Sequence, residues 1–520
     1  MAELRRFFSG TLFSRISGFG RDLIMAFAFG DHPSVAAFMI AFRFSNLLRR
    51  LVAEGPIQIT IIPYFEGLRI KNHSKALLFF LKLLFLVTIS LLGITILVEL
   101  GISYFLSLET FSAYREVYIL TRWLFPAIIF ICLYGLNTCL LHCYDSFFVP
   151  SFAPFICNSI WITAAFLLKN KPAEYAMVSL AKWVCIGFIC QWLFTLPKII
   201  PILKRHFKEK LNRTALKIST EVKQLLSSFS FGAIGIGAMQ INSFIDGLFA
   251  RHAHTSGPVY LWYSIRIEQL ALAIFGIACV STIVPRLSRA IKQGDKGKAE
   301  TLFALSYKRI LLVMIPCTFA IFAIGGASTN FIYGRGSFSE AALLHTTICL
   351  WSYAIGLLPT TMVILFSSLF YSNSNFRTPT IASLLSVVMN LILNALFVFV
   401  FKWGVASIAL ATSLSAWGNF LLIQRLNRSF KVDCLHGIAK GLLVTLLALL
   451  FTTTVNYFFL HATLFLPFFP RSLSLQVSHL CIQSITFFGS LIGFSYLFEY
   501  QDLLELLRTF LPSSFAKQIE

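Results

Sequence analysis

Nine charged side chains sit where charge is expensive to keep. Arg15, Arg21, Asp22, Arg43, Arg49, Arg50, Glu54, Arg266 and Glu268 fall inside stretches that are otherwise long and apolar. On the mildest insertion scales each ionised group there costs about 2.5–3.5 kcal/mol, so such groups turn toward a cavity or a partner. Arg15 and Asp22 are seven residues apart and share one helix face, with Arg21 close to it. Arg43 and Arg50 repeat that spacing, Arg49 lies about 100° away, and Glu54 is one turn beyond Arg50 and can pair with it. Six arginines against three carboxylates leave a surplus of three positive charges. In low dielectric that surplus calls for an anionic ligand. Arginine suits phosphate in particular, because its planar fork donates two parallel hydrogen bonds. For Arg49 and Arg50 a second reading stands beside this one: long side chains that snorkel to the headgroups and fix helix orientation.

A second constellation is poorer in charge. Asp246 is an isolated carboxylate among apolar residues, and Asn390 and Asn394 are one turn apart, with Thr412 in the next apolar stretch. Together they would make an oxygen-lined site for a small cation. Ordinary hydrogen bonds between membrane helices are the competing account.

The elements that must carry these residues are membrane helices. Of the 520 residues 57% are hydrophobic and 12% charged, with mean hydropathy +0.78. A soluble domain carries roughly twice that charged fraction, and apolar runs of bilayer-crossing length recur throughout. Fourteen spans are expected. The first two, 8–30 and 34–68, are the weakest by hydropathy and escape a simple window scan. With the N-terminus inside, the segments on that side hold 27 Lys and Arg against 7 opposite, so both termini are expected in the cytoplasm. The net charge of +21 follows this pattern, and no folded domain remains to bind nucleic acid. The largest loops, 198–224 and 286–309, read as basic cytoplasmic connectors. Residues 7–30 contain Arg15, Arg21 and Asp22 and so lack the uninterrupted apolar core of a removable signal peptide. The eleven cysteines form no C-x-x-C pair and read as small packing residues, and the histidines show no metal-binding spacing.

The chain also repeats itself. Ile40-Ala-Phe-Arg43-Phe-Ser-Asn-Leu47 resembles Tyr263-Ser-Ile-Arg266-Ile-Glu-Gln-Leu270, Ile61-Ile-Pro63 resembles Ile283-Val-Pro285, and the segment from Tyr144 to Pro150 resembles that from Tyr371 to Pro379. The period is roughly 225 residues and holds six spans, an even number, so the two halves are expected to be parallel copies. The expected organisation is an N-terminal lobe over 1–200, a basic linker over 201–224, a C-terminal lobe over 225–424, and two accessory helices with a tail over 425–520.

Ser14-Arg15-Ile-Ser-Gly18-Phe19-Gly-Arg21-Asp22, then Ala41-Phe42-Arg43, then Asn46-Leu-Leu-Arg-Arg50-Leu-Val-Ala-Glu-Gly55 resembles the N-terminal signature of the MurJ/MviN family, within the multidrug, oligosaccharidyl-lipid and polysaccharide exporters. The resemblance implies an all-α polytopic protein of about 14 helices, with two six-helix lobes in a V around a cationic cavity plus two C-terminal helices. It implies a transporter of the bacterial inner membrane that flips lipid II, the undecaprenyl-pyrophosphate-linked peptidoglycan precursor, to the outer leaflet. Cell-wall synthesis or division proteins would be its protein partners. Arg15, Arg21, Arg49 and Arg266 match the family's cavity arginines, with Asp22, Arg43, Arg50, Glu54 and Glu268 as secondary or pairing groups. Asp246, Asn390, Asn394 and Thr412 fall where some members bind sodium, so a sodium gradient or the membrane potential alone would reset the inward state; no cofactor is expected. The chain departs from the pattern at Ala36 and Ala37, where an acidic residue is usual, and at Ser45, Pro56, Gln269 and Asn394. Two alternatives remain: export of another polyprenyl-pyrophosphate-linked oligosaccharide, and, from a different class, a membrane glycosyltransferase acting on lipid II. No G-x-x-x-x-G-K-[ST] loop for nucleotide hydrolysis occurs.

Overall fold

The computed structural model describes the backbone of residues 2–52, 56–108, 114–206, 237, 239–373, 375–427, 435–460 and 469–510; within these, side chains are described except at 2–7, 48–52, 56–60, 205–206, 435–438 and 506–510. The described residues are almost wholly helical, with no strand among them. They form two compact units, Met1–Leu248 and Phe249–Glu520.

The first unit holds α1 (Ala2–Phe29), α2 (Pro33–Val52), α3 (Pro56–Lys71), α4 (His73–Ser107), α5 (Arg115–Leu124), α6 (Ala127–Cys143), α7 (Phe148–Leu168), α8 (Ala173–Leu193) and α9 (Leu196–His206). α10, residues 239–253, runs across the division between the units. The second unit continues with α11 (Gly257–Ala271), α12 (Ala278–Ser281), α13 (Val284–Lys292), α14 (Lys296–Tyr333), α15 (Glu340–Ala354), α16 (Leu357–Ser372), α17 (Arg377–Ala395), α18 (Ala406–Leu426), α19 (Leu435–Leu460), α20 (Leu473–Leu497) and α21 (Gln501–Phe510).

Among the described residues ten helices are long and apolar enough to cross a membrane, or eleven if the bent pair α5–α6 is one span. α4 has 35 residues; at 1.5 Å per residue it is about 52 Å long, well beyond a hydrocarbon core of about 30 Å. Its lateral face exposes Phe85, Leu97 and Leu100 at 60%, 69% and 63%, which in a helix of this length is contact with lipid. α1 and α2 fail the same hydropathy criterion, as expected, because their charged residues interrupt the apolar run. The seventh expected span, 225–249, lies outside the described residues over 225–236, as does the 201–224 linker from 207 onward.

At three places the structure adds detail to the expected elements. The span expected at 117–141 is not straight: it bends by 41° between α5 and α6, at Phe125 and Pro126, because proline lacks the amide that would continue the ladder. Within the span expected at 34–68, α2 runs to Val52 and α3 starts at Pro56, with 53–55 outside the described residues. The connector expected at 286–309 is mostly helix: α13 and the first turns of α14 occupy it, leaving only 293–295 as a turn. Gly294 there has φ +74°, and the Asp295 side chain accepts from the Lys298 amide as an N-cap. A run of Lys, Ala, Leu and Glu is a good helix former in water, so high charge marked a surface helix and not a loop.

The repeat is reproduced in packing. α2 packs on α5 as α11 packs on α15; α5, α6 and α7 pack on α8 as α15, α16 and α17 pack on α18; α3 packs on α4 and α6 as α13 packs on α14 and α16. Each unit has a core at the equivalent place. Ile61, Phe65, Leu77, Phe80, Leu136 and Leu140 fill the first; Leu287, Phe303, Ile310, Leu365 and Phe366 fill the second. α19 and α20 pack on each other and on α14, burying Val444, Ala448, Phe487 and Leu491 against Leu312 and Ala320. At one end of α14, Asn330 donates to the Pro470 carbonyl, and Gln476 donates to the Pro470 and Gly334 carbonyls.

α6 ends in a Schellman turn. The Ser146 amide bonds the Leu141 carbonyl, the Asp145 amide bonds the His142 carbonyl, and Asp145 takes φ +54°. Glycine is usual at that left-handed position, and a residue with a Cβ adopts it at a cost of about 1 kcal/mol.

Candidate functional site

α1 and α7 pack along their lengths, and the most organised of the predicted charges lies between them. Arg21 donates from Nε and NH2 to Asp22 Oδ1 at 3.1 and 2.9 Å, and from NH1 to Asn158 Oδ1 at 3.3 Å. Its guanidinium carbon lies 4.8 Å from the centre of the Trp161 ring. Asn158 is held in turn, since its Nδ2 donates to Ser17 Oγ at 3.0 Å and to the Ser14 carbonyl at 3.3 Å. Trp161 is 3% exposed and meets Phe38 and Phe42 edge-on at 5.5 and 4.9 Å. The side chains of Arg21 and Asp22 are 14% and 7% exposed. A guanidinium has five N–H donors. Three are engaged within the chain, which leaves one donor on each terminal nitrogen for an anion such as phosphate or carboxylate.

Arg43 is used differently: its NH1 donates to the Ser243 carbonyl of α10 at 3.0 Å. Arg15 is exposed on α1 and makes no ion pair among the described residues. In the second unit, Arg266 lies over the Trp262 ring at 4.7 Å, one helical turn back on α11, and Glu268 is buried at 9% exposure. The side chains of Arg49 and Arg50 and all of Glu54 lie outside the described residues.

The polar residues of the second constellation are placed as follows. Asn394 Nδ2 donates to Asn390 Oδ1 at 2.9 Å, and Asn390 Nδ2 donates to Thr412 Oγ1 at 3.2 Å. Asn390 and Asn394 are 1% and 0% exposed. Asp246 on α10 is 6% exposed and accepts from Asn242 at 3.4 Å. The amide–amide–hydroxyl chain is a continuous network with side-chain oxygens in a buried setting, the donor type that sodium prefers. No group of three or more His, Cys, Asp or Glu suited to a metal occurs among the described residues. Two π-helical turns, Leu272–Ile277 and Leu396–Val400, begin within a few residues of Glu268 and Asn394. Such widened turns collect at functional places in helices.

The family model described as "Lipid II flippase MurJ" matches residues 25–475. The chain belongs to the MurJ family. A "Probable lipid II flippase MurJ" from Chlamydia muridarum is 31% identical over 518 residues, covering 96% of this chain and 94% of its own length. A second, from Chlamydia trachomatis, is 30% identical with the same coverage. Among solved structures, "Lipid II flippase MurJ, inward closed conformation" superposes with TM-score 0.74 at 24% identity, over 96% of this chain and 99% of that one. An inward-facing multidrug resistance MATE family transporter of the MOP superfamily follows at 0.65 and 15%, over 79% and 94%. These two likenesses establish the fold, an all-α membrane protein.

Within this family member, the residues that position Arg21 were not among those singled out from sequence. Asn158 and Trp161 lie one turn apart in an apolar run more than a hundred residues from α1. An asparagine and a tryptophan at that spacing signal a polar face on a membrane helix, but nothing local says which arginine they serve. Trp262, four residues before Arg266, was open to a pairing argument on one helix.

Proposed function

We propose that this chain flips lipid II from the cytoplasmic to the outer leaflet of the bacterial inner membrane by alternating access, supplying the precursor of peptidoglycan. The observation that carries this reading is the fixed guanidinium of Arg21, with one donor left on each terminal nitrogen. Asp22, Asn158 and Trp161 restrict the group to one orientation before any ligand arrives, so a bound pyrophosphate does not have to order a mobile side chain. Asp22 offsets part of the charge and keeps Arg21 tolerable in low dielectric when no anion is present. Arg266, over the Trp262 ring, is the proposed counterpart in the second unit. Arg15, on the exposed face of α1, is proposed to meet the anion on entry. The polyprenyl tail stays in lipid throughout.

Both termini are proposed to be cytoplasmic, in line with the 27 to 7 distribution of basic residues. Sodium is the proposed coupling ion, with Asn390, Asn394 and Thr412 supplying oxygen ligands. Cell-wall synthesis or division proteins are the proposed recipients of the flipped precursor.

The test is lipid II exposure at the outer face of cells depleted of their own flippase and expressing this chain, read by an added enzyme that cleaves only outward-facing lipid II. The wild type restores cleavage, and Arg21→Ala and Arg266→Ala do not. A wild-type chain that is inserted yet brings no lipid II outside would point to another polyprenyl-pyrophosphate-linked oligosaccharide as the cargo.

A further inference from the structure

The turn between α6 and α7 lines, together with α9, an open cavity of about 480 Å³ that no part of the transport reading uses. Two opposite charges line it, Asp145 and Lys198, both exposed. They form no ion pair with each other or with any other described residue. Asp145 holds the left-handed position of the turn, a conformation that Asp and Asn adopt more readily than other residues with a side chain.

The turn is braced from behind. Arg69 pairs with Glu66 at 2.9 Å, donates to the Cys143 carbonyl and lies 4.5 Å over the Tyr144 ring. The Tyr144 hydroxyl is hydrogen-bonded to His73 Nε2 at 2.9 Å. The cavity is therefore preformed.

A row of rings leads away from it along α7. Phe148, on the rim, stacks on Phe152 at 5.3 Å, Phe152 meets Phe155 at 5.0 Å, and Phe13 of α1 covers both at 6.0 and 5.9 Å. Phe148 and Phe13 are 37% and 50% exposed.

We propose that this cavity binds a zwitterionic phospholipid with a phosphoethanolamine headgroup: phosphate on Lys198, ammonium on Asp145, and an acyl chain along the phenylalanines of α7. One cation and one anion in a single pocket match a dipolar ligand. A purely anionic headgroup would gain Lys198 but meet the Asp145 carboxylate. The volume lies within the range of small-ligand sites, and the pocket is where α6 ends and α7, a helix long and apolar enough to cross a membrane, begins. Ser146 adds a hydroxyl at the rim.

The experiment is native mass spectrometry of the full chain in detergent, titrated with dioleoyl phosphatidylethanolamine, dioleoyl phosphatidylglycerol or soluble glycerophosphoethanolamine. Phosphatidylethanolamine adducts exceed phosphatidylglycerol adducts several-fold. Asp145→Asn, which suits the left-handed turn, and Lys198→Gln each lower phosphatidylethanolamine occupancy about fivefold, with melting temperatures unchanged. Glycerophosphoethanolamine competes weakly, because it lacks the chain that the rings hold. Equal adducts for both lipids, or wild-type occupancy in both variants, would overturn the site. Full competition by glycerophosphoethanolamine would overturn the lipid and leave a pocket for a soluble zwitterion.

Discussion

Arg21 and Asp22, neighbours in sequence, are locked together by two hydrogen bonds to one carboxylate oxygen. Adjacent residues on a helix point about 100° apart, and only the length of the arginine lets its head swing back across that angle. Asp22 thus sets the direction of Arg21 while Asn158 and Trp161 set its plane. Lysine cannot copy this, because a single ammonium has no plane to stack and no second edge to present. Arg21→Lys is therefore expected to keep the charge and lose most of the transport, at about a tenth of wild-type lipid II exposure. Wild-type exposure in that variant would mean that charge alone suffices.

Trp161 is expected to act through orientation. Removing a buried tryptophan costs about 3–5 kcal/mol, so Trp161→Ala confounds folding with function. Trp161→Phe retains a ring under the guanidinium and should keep more than half of the activity. Asn158→Leu, which removes only the polar tether, should lower lipid II exposure several-fold while the melting temperature stays near that of wild type.

Sodium binding by Asn390, Asn394 and Thr412 predicts that sodium chloride raises the melting temperature of the purified protein above its value in potassium chloride. Asn394→Ala should abolish the difference. Identical melting curves in both salts for the wild type would rule out the site.

Gly257 begins α11 in close contact with α10. A Cβ there would lie 2.1 Å from the Ala250 carbonyl oxygen and 2.9 Å from a Val405 methyl. The first obstacle is backbone and cannot swing away, so Gly257→Ala should destabilise the chain by about 1–3 kcal/mol. Gly67→Ala, with nothing within 4 Å of the new methyl, should leave the melting temperature unchanged or raise it. Thermal unfolding of the two variants side by side checks the pair.

How much of this was legible in the sequence depended on distance along the chain. The class followed from apolar runs such as α4 and α14, whose signal is local. The repeat is legible because Arg43 and Arg266 stand 223 residues apart and Pro63 and Pro285 stand 222 apart. The break at Phe125 and Pro126 was overlooked because hydropathy continues through it, although the proline itself was a signal. The helix in 286–309 is hidden in the sequence because its charge density is also that of a solvated loop. Arg21 was found because a charge in an apolar run identifies itself. Asn158 and Trp161 were not, since their contact with Arg21 depends on the packing of α7 on α1, which no local pattern encodes.

The shared packing plan of the two units also bears on ancestry. When a scaffold exists twice in one chain, either copy is free to drift in chemistry as long as its framework still folds. Arg43 in α2 and Arg266 in α11 stand 223 residues apart at matched places in the repeat. One arginine has been kept in both copies while its surroundings have changed: the first donates to a backbone carbonyl and the second lies over an indole ring.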